Sequence, residues 1–169
     1  MSKVTKNISE EFSKLDLLKT KLSQLVEIAL IEDMAGDDVT SALILKDSEL
    51  VSFNINTRQA IILCGVEVIK SCFDYLLATP TFGNAKIKFD NFYQDGDFIP
   101  SNHAIAAGVG SAKLVFAAER TILNLLQHLS AISTNTDKFV KLLGNSKTKI
   151  LDTRKTLPGL RLEIGRAHV

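Results

Sequence analysis

This chain lacks an excess of either charge. Twenty basic residues stand against nineteen acidic ones, a formal net charge of +1 at pH 7. Without a field of one sign, nothing advertises nucleic acid or an anionic membrane surface as a partner, and any anion recognition must be local. Cysteine is also scarce. Cys64 and Cys72 are the only two, and neither has His or Cys partners at metal-ligand spacing. They read as buried thiols of a reducing compartment. No apolar run approaches the roughly 20 residues that a bilayer-crossing helix needs. The amino terminus, "MSKVTKNISEEFSKLD", alternates charges and lacks the apolar core of a signal peptide. Repeats and low-complexity linkers are missing too. Together these absences point to a cytoplasmic protein with no membrane and no nucleic-acid partner, whose 169 residues form one domain or two small ones.

What is present are changes of hydrophobic period. From Ser9 to about Glu32 the residues Phe12, Leu15, Leu18, Leu22, Leu25, Val26, Ala29 and Leu30 recur at spacings of three and four, a helix stripe. "DMAGDDVTS", Asp33 to Ser41, breaks it. "LVSFNINTRQAIILCG" alternates and is rich in β-branched residues, which predicts two short strands around a turn near Asn56 to Gln59. "GVEVIKSCFDYLL" returns to helical spacing, and "PTFGN" ends it. "KIKFDNFYQDGDFIPSNHAIAAGVG" reads as strand, turn at Asp95 and Gly96, strand. Residues 1–111 are therefore an α+β unit with a mostly antiparallel sheet.

The pattern changes at Ala112. Lys113 to Ser133 is the longest helical segment, with Leu114, Ala118, Ile122, Leu125, Leu126 and Leu129 on one face. A further helix, "NTDKFVKLLG", ends at Gly144, which suits the left-handed position after a helix. "KTKIL" then reads as a short, largely buried strand, followed by the polar "DTRKT". Strand after helix, with a polar loop at the strand's carboxyl end, is α/β grammar, and ligand sites lie at that end. In that loop the planar guanidinium of Arg154 suits a carboxylate or phosphate, Lys155 adds a mobile point charge, and Thr153 and Thr156 add hydroxyls. Pro158 and Gly159 set the turn beyond. Such a cluster fits a small, multiply anionic ligand; it equally fits plain solvated loop charges.

"LDTRKTLPGLR" resembles the signature Asp-Thr-Arg-Lys-Thr-x-Pro-Gly-x-Arg of the quinolinate phosphoribosyltransferase family. Two further blocks agree in order and spacing. "ALIEDMAGDDVTSALI" is similar to the family's Glu-Asp, Gly-Asp and Thr-Ser block, and "AERTILNLLQHLSAISTNT" to its Ala-Glu-Arg-Thr-x-Leu-Asn helix with a following Ser-Gly-Ile-Ala-Thr turn. The resemblance runs from about Leu22 to Arg161. Departures are Ala131 and Ser133 in the turn, Asp38 before Thr-Ser, and everything after Leu162. Glu163 to Val169, "EIGRAHV", can be written GAG ATC GGA AGA GCA CAC GTC, the start of a common DNA-sequencing adapter read in frame, so 163–169 is expected to be a non-native tail.

The resemblance implies an α/β protein: an α+β, sandwich-like amino-terminal domain over 1–111, then the beginning of an incomplete α/β barrel over 112–162. It implies a pentosyltransferase that joins quinolinate to phosphoribosyl pyrophosphate and makes nicotinate mononucleotide, pyrophosphate and carbon dioxide in NAD biosynthesis. By motif match Arg154 holds a quinolinate carboxylate, Lys155 contacts the phosphoribosyl substrate and Thr153 donates locally. Arg120 reaches into a neighbouring subunit's site, which implies a homodimer or higher homo-oligomer with shared sites. Mg2+ is the implied cofactor, with its ligands beyond the end of this chain, so no catalytic residue and no metal ligand is assigned here and the chain alone is expected to be inactive. An open barrel also implies that Ile150 and Leu151 lie in an under-packed strand, and that the helix face around Leu125 and Leu129 lacks partners.

Other residues invite alternative readings. Glu32, Asp33, Asp37 and Asp38 read as helix-end and loop charges rather than metal ligands. His103, His128 and His168 are dispersed, and His128 reads as a partly exposed helix residue rather than a base. "GVGSA", Gly108 to Ala112, resembles a fragment of a phosphate loop but is better taken as a turn between domains. Glu119 reads as support for the helix and for Arg120. A relative that uses another pyridine acid is an alternative activity. "FYQDGDFIPSNHAIAAGVG" also resembles hairpins of lipoyl or biotinyl carriers, which would need a lysine at a hairpin tip; none occurs between Lys88 and Lys113.

Overall fold

A computed structural model describes residues 21–33 and 39–167. The first half of the expected Ser9–Glu32 helix, together with Asp37, Asp38 and His168, lies outside them.

Helix α1, residues 21–33, continues the Leu22, Val26 and Leu30 stripe, and all three side chains are buried. Helix α2, Val39–Ile44, occupies part of what reads as a break: Ser41 is helical, and its carbonyl accepts Leu45 N at 3.0 Å. Strands β1 (Leu50–Asn56) and β2 (Ile61–Ile62) flank the expected turn. Helix α3 is Val66–Leu77, and strands β3 (Ile87–Asn91), β4 (Phe98–Ile99) and β5 (Ala104–Ser111) follow. β1 and β2 belong to different sheets. One is antiparallel in the order β1-β5-β3, and the other pairs β2 with β4.

The larger sheet buries one face, because Val51, Phe53 and Ile55 alternate with exposed Ser52, Asn54 and Asn56 along β1. Gly108 is registered opposite both Phe53 and Phe89. Phe73 of α3 lies over the row, its ring 6.0 Å from Phe53 and 5.4 Å from Phe89. "GVGSA" is therefore neither phosphate loop nor inter-domain turn. It is the end of β5 running into the next helix, with glycines where facing side chains leave no room.

Helix α4 spans Ala112–Leu143, one element where two helices and a turn are expected. Nothing between Ser130 and Asn135 is Gly or Pro, and Thr134 Oγ1 donates to the Ser130 carbonyl at 2.6 Å within the same turn. The helix stops at Gly144, whose φ is +52°. All six residues of the expected apolar stripe are buried, Leu125 and Leu129 among them. Leu129 Cδ1 would lie 2.9 Å from a Cβ placed on Gly65, so that face has its partners, contrary to the expectation of an unfilled barrel face. Apolar side chains of α4 that stand exposed are Phe116 and Leu123 on its other flank and Phe139, Val140 and Leu142 farther along.

"KTKIL" is not a strand. Residues 146–151 carry no regular structure and Leu151 is 78% exposed. No strand lies beside it among the described residues, and an extended segment without a neighbour has no ladder to join. The chain then forms helix α5, Arg161–Arg166, which packs on α4. Leu160, Ile164 and Ala167 enter the core, so part of the expected tail is folded against the rest.

Candidate functional site

Two elements carry the residues singled out from the sequence. The first is the loop after α4. Thr153 Oγ1 accepts the Lys155 amide at 3.2 Å, a local turn that leaves the hydroxyl proton to donate elsewhere. Arg154 and Lys155 are exposed. A second turn follows at once: Leu160 N donates to the Leu157 carbonyl at 3.1 Å, and Gly159 has φ +83°. Pro158 and Gly159 are the residue types such a turn requires at its two centres. Leu160 is buried, and the open side of Gly159 lies 3.7 Å from Leu25 Cδ1 of α1. The basic loop is thus pinned at its carboxyl end to the amino-terminal helix, and its charged side chains stand in solvent.

The second element is α4 itself. Arg120 projects from its exposed flank, and the Arg120 Nη1 to Asp33 Oδ1 distance is 2.5 Å. Glu119 is exposed and forms no such bond among the described residues, so the carboxylate that holds Arg120 comes from α1 and not from its sequence neighbour. No hydrogen bond or ion pair joins Arg120 to Thr153, Arg154 or Lys155 among the described residues. The four expected site residues sit on two elements, Arg120 on α4 and the other three in the loop beyond it.

Farther along α4 a groove of about 1090 Å³ runs between the helix and the β1–β2 segment, lined by Arg58, Gln59, Asn102, Gln127, Thr134 and Lys138 among others, and by no carboxylate. None of the four expected residues lines it. Its floor is tied together by hydroxyls: Ser130 Oγ accepts Cys64 N at 3.1 Å, and Thr134 Oγ1 accepts Ile62 N at 2.9 Å.

The remaining candidates have local roles. His103 Nδ1 is 3.0 Å from the Ser101 carbonyl, and the ring is exposed. His128 is half-buried, with Nε2 shielded and unbonded among the described residues. Cys64 and Cys72 are buried and joined in no disulfide among the described residues, and burial pushes the Cys72 thiol up to about 12. The Asp95-Gly96 turn carries no lysine; Asp95 Oδ1 instead accepts the amides of Gly65 and Val66 at 2.8 and 2.9 Å. Among the described residues no three His, Cys, Asp or Glu side chains come together. No helix among them is long and apolar enough to cross a membrane.

Comparison with known proteins agrees with the motif blocks. Residues 38–130 match the family model described as quinolinate phosphoribosyl transferase, N-terminal domain, and 132–168 match that of the C-terminal domain. The probable nicotinate-nucleotide pyrophosphorylase [carboxylating] of Bacillus subtilis is 32% identical over 142 residues, covering 84% of this chain and 46% of that protein. The corresponding Mycobacterium leprae protein is 34% identical over 134 residues, 79% of this chain and 45% of its own. Among solved structures, the nicotinate-nucleotide pyrophosphorylase from Francisella tularensis superposes with a TM-score of 0.78 at 36% identity, covering 88% of this chain and 51% of that one. The chain spans about half the length of the curated relatives it matches.

Proposed function

Because the chain belongs to the quinolinate phosphoribosyl transferase family, we propose that it is the amino-terminal part of a pentosyltransferase acting on quinolinate and phosphoribosyl pyrophosphate. The ring nitrogen of quinolinate bonds to the ribose anomeric carbon as the bond to pyrophosphate breaks. The carboxylate next to that nitrogen leaves as carbon dioxide, and its electron pair takes up a proton, giving nicotinate mononucleotide. Fixed cations serve both halves, stabilising the departing pyrophosphate and the electron density left on the ring.

The observation that supports this reading is the Thr153–Lys155 turn, which leaves Arg154 and Lys155 exposed and, among the described residues, without an ion-pair partner, just before the anchored Pro158–Leu160 turn. A bidentate guanidinium beside a point charge suits a dicarboxylate next to a phosphorylated sugar. Arg154 holds a quinolinate carboxylate, Lys155 contacts the phosphoribosyl substrate, and Thr153 orders the loop between them. Arg120, held by a different element, serves the site of a second copy in a homo-oligomer. The division at 111/112 separates the sheet domain from the opening of a barrel, and a divalent cation with acidic ligands outside these residues completes the site. The setting is the cytoplasm.

The test uses the full-length protein. Arg154→Ala should abolish detectable quinolinate binding in calorimetric titration and leave the thermal midpoint unchanged, since an exposed loop cation contributes little to stability. Unaltered quinolinate affinity would remove Arg154 from the site. Mixing Arg154→Ala subunits with Arg120→Ala subunits should raise activity above that of either variant alone, because in a hybrid dimer one of the two shared sites holds both arginines. No recovery after verified subunit exchange would place the site within one chain.

A further inference from the structure

Arg120 has no carboxylate of its own helix within reach. The positions three and four residues away are Phe116, Ala117, Leu123 and Asn124, and adjacent Glu119 makes no ion pair with it. It is met instead by Asp33, 87 residues earlier in the chain, at the last described position of α1. The two ends of this pair differ in exposure. The Asp33 side chain is 21% exposed and that of Arg120 72%. The acid is therefore the fixed end and the arginine the free one. Its recorded bond uses one guanidinium nitrogen, Nη1, which leaves the opposite edge of a planar, five-donor group facing solvent.

Exposed ion pairs add little to stability. A long cationic side chain that must meet a substrate carboxylate does, however, lose rotamer freedom when it binds, and a prior hydrogen bond removes part of that loss. Resting on the assignment of Arg120 to a quinolinate site, we infer that Asp33 is a positioning residue. It holds one arm of Arg120 against α1, so that the other arm is presented to the carboxylate of the incoming ligand. Asp33 touches no substrate itself. Its effect is on affinity and not on the rate of bond breaking.

The test is a double-mutant cycle in the full-length protein, read as the quinolinate KM, kcat and thermal midpoint. Asp33→Ala should raise the KM about tenfold with kcat and the midpoint held, and Asp33→Glu should recover part of the loss. Asp33→Ala combined with Arg120→Ala should be no weaker than Arg120→Ala alone, because the acid acts only through the arginine. An unchanged or lowered KM in Asp33→Ala overturns the inference, as does a loss that adds to that of Arg120→Ala or tracks a fall in the midpoint. If Arg120→Ala itself leaves the KM unchanged, the assignment of Arg120 fails and the inference falls with it. A damaged Arg120→Ala beside a normal Asp33→Ala sinks only the role of Asp33.

Discussion

Gly108 has Phe53 on one neighbouring strand and Phe89 on the other. A Cβ there would lie 2.6 Å from the Lys88 carbonyl oxygen, 2.6 Å from Phe89 Cβ and 2.8 Å from Phe53 Cε1. Two of these neighbours are backbone or Cβ atoms that cannot swing aside. Gly108→Ala should therefore cost about 1–3 kcal/mol through overpacking, read as a lower thermal midpoint, whereas the same change at Gly83, where the nearest atom is 3.5 Å away, should not. Burial of Cys72 gives a second residue-scale outcome. Its folded value near 12 stands above the ordinary 9.0, so the unfolded chain releases this proton first as pH rises. The thiol's share of stability is complete below pH 9 and is lost between there and about 12. At pH 8 a thiol reagent should leave Cys72 unlabelled in the folded protein and label it promptly in denaturant; prompt native labelling would mean that the thiol is not enclosed.

At the scale of elements, hydrogen bonds from distant residues decide where helices begin and what they touch. Helix α3 starts after Gly65, and its first amides are accepted not by a neighbouring Ser or Asp but by Asp95, 30 residues on. Asp95→Ala strands two donors at a helix amino terminus, and the expected loss is about 1–3 kcal/mol, measurable by chemical unfolding, with Asp95→Asn retaining most of the stability. Helix α4 is bound to the smaller sheet in the same manner. The Ser130 hydroxyl both accepts from Cys64 N and donates to the Cys64 carbonyl at 3.2 Å. "LSAIST" resembles a turn in sequence because its small and hydroxylated residues are turn residues, yet here they let a continuous helix approach a strand edge.

For the whole molecule, apolar surface is unevenly finished. The core is continuous from α1 through α3 and α4 to α5, but Phe139, Val140, Leu142, Leu151 and Leu157 are each more than half exposed along the carboxyl half of α4 and the loop beyond. Grouped apolar exposure of this sort favours self-association. The 169 residues expressed alone should form oligomers or aggregates in light scattering. They should also yield no nicotinate mononucleotide from quinolinate and phosphoribosyl pyrophosphate with magnesium, since the described residues supply cations but no cluster of acids. Product at a rate near that of a complete relative would show that the residues present suffice.

The sequence by itself determined the elements with strong period and the family. The α4 stripe, the alternation of β1, the turn residues at Asp95-Gly96 and Pro158-Gly159, and three collinear motif blocks are local patterns, readable because each depends on residues a few positions apart. Tertiary structure decided what depends on distant neighbours. "KTKIL" has strand composition but no strand to pair with among the described residues. Leu129 and Leu126 pack toward Gly65, and Leu125 is buried as well, rather than left bare. Asp33 meets Arg120 across 87 residues while adjacent Glu119 does not, because side-chain direction on a helix follows its 3.6-residue turn and not order in the chain.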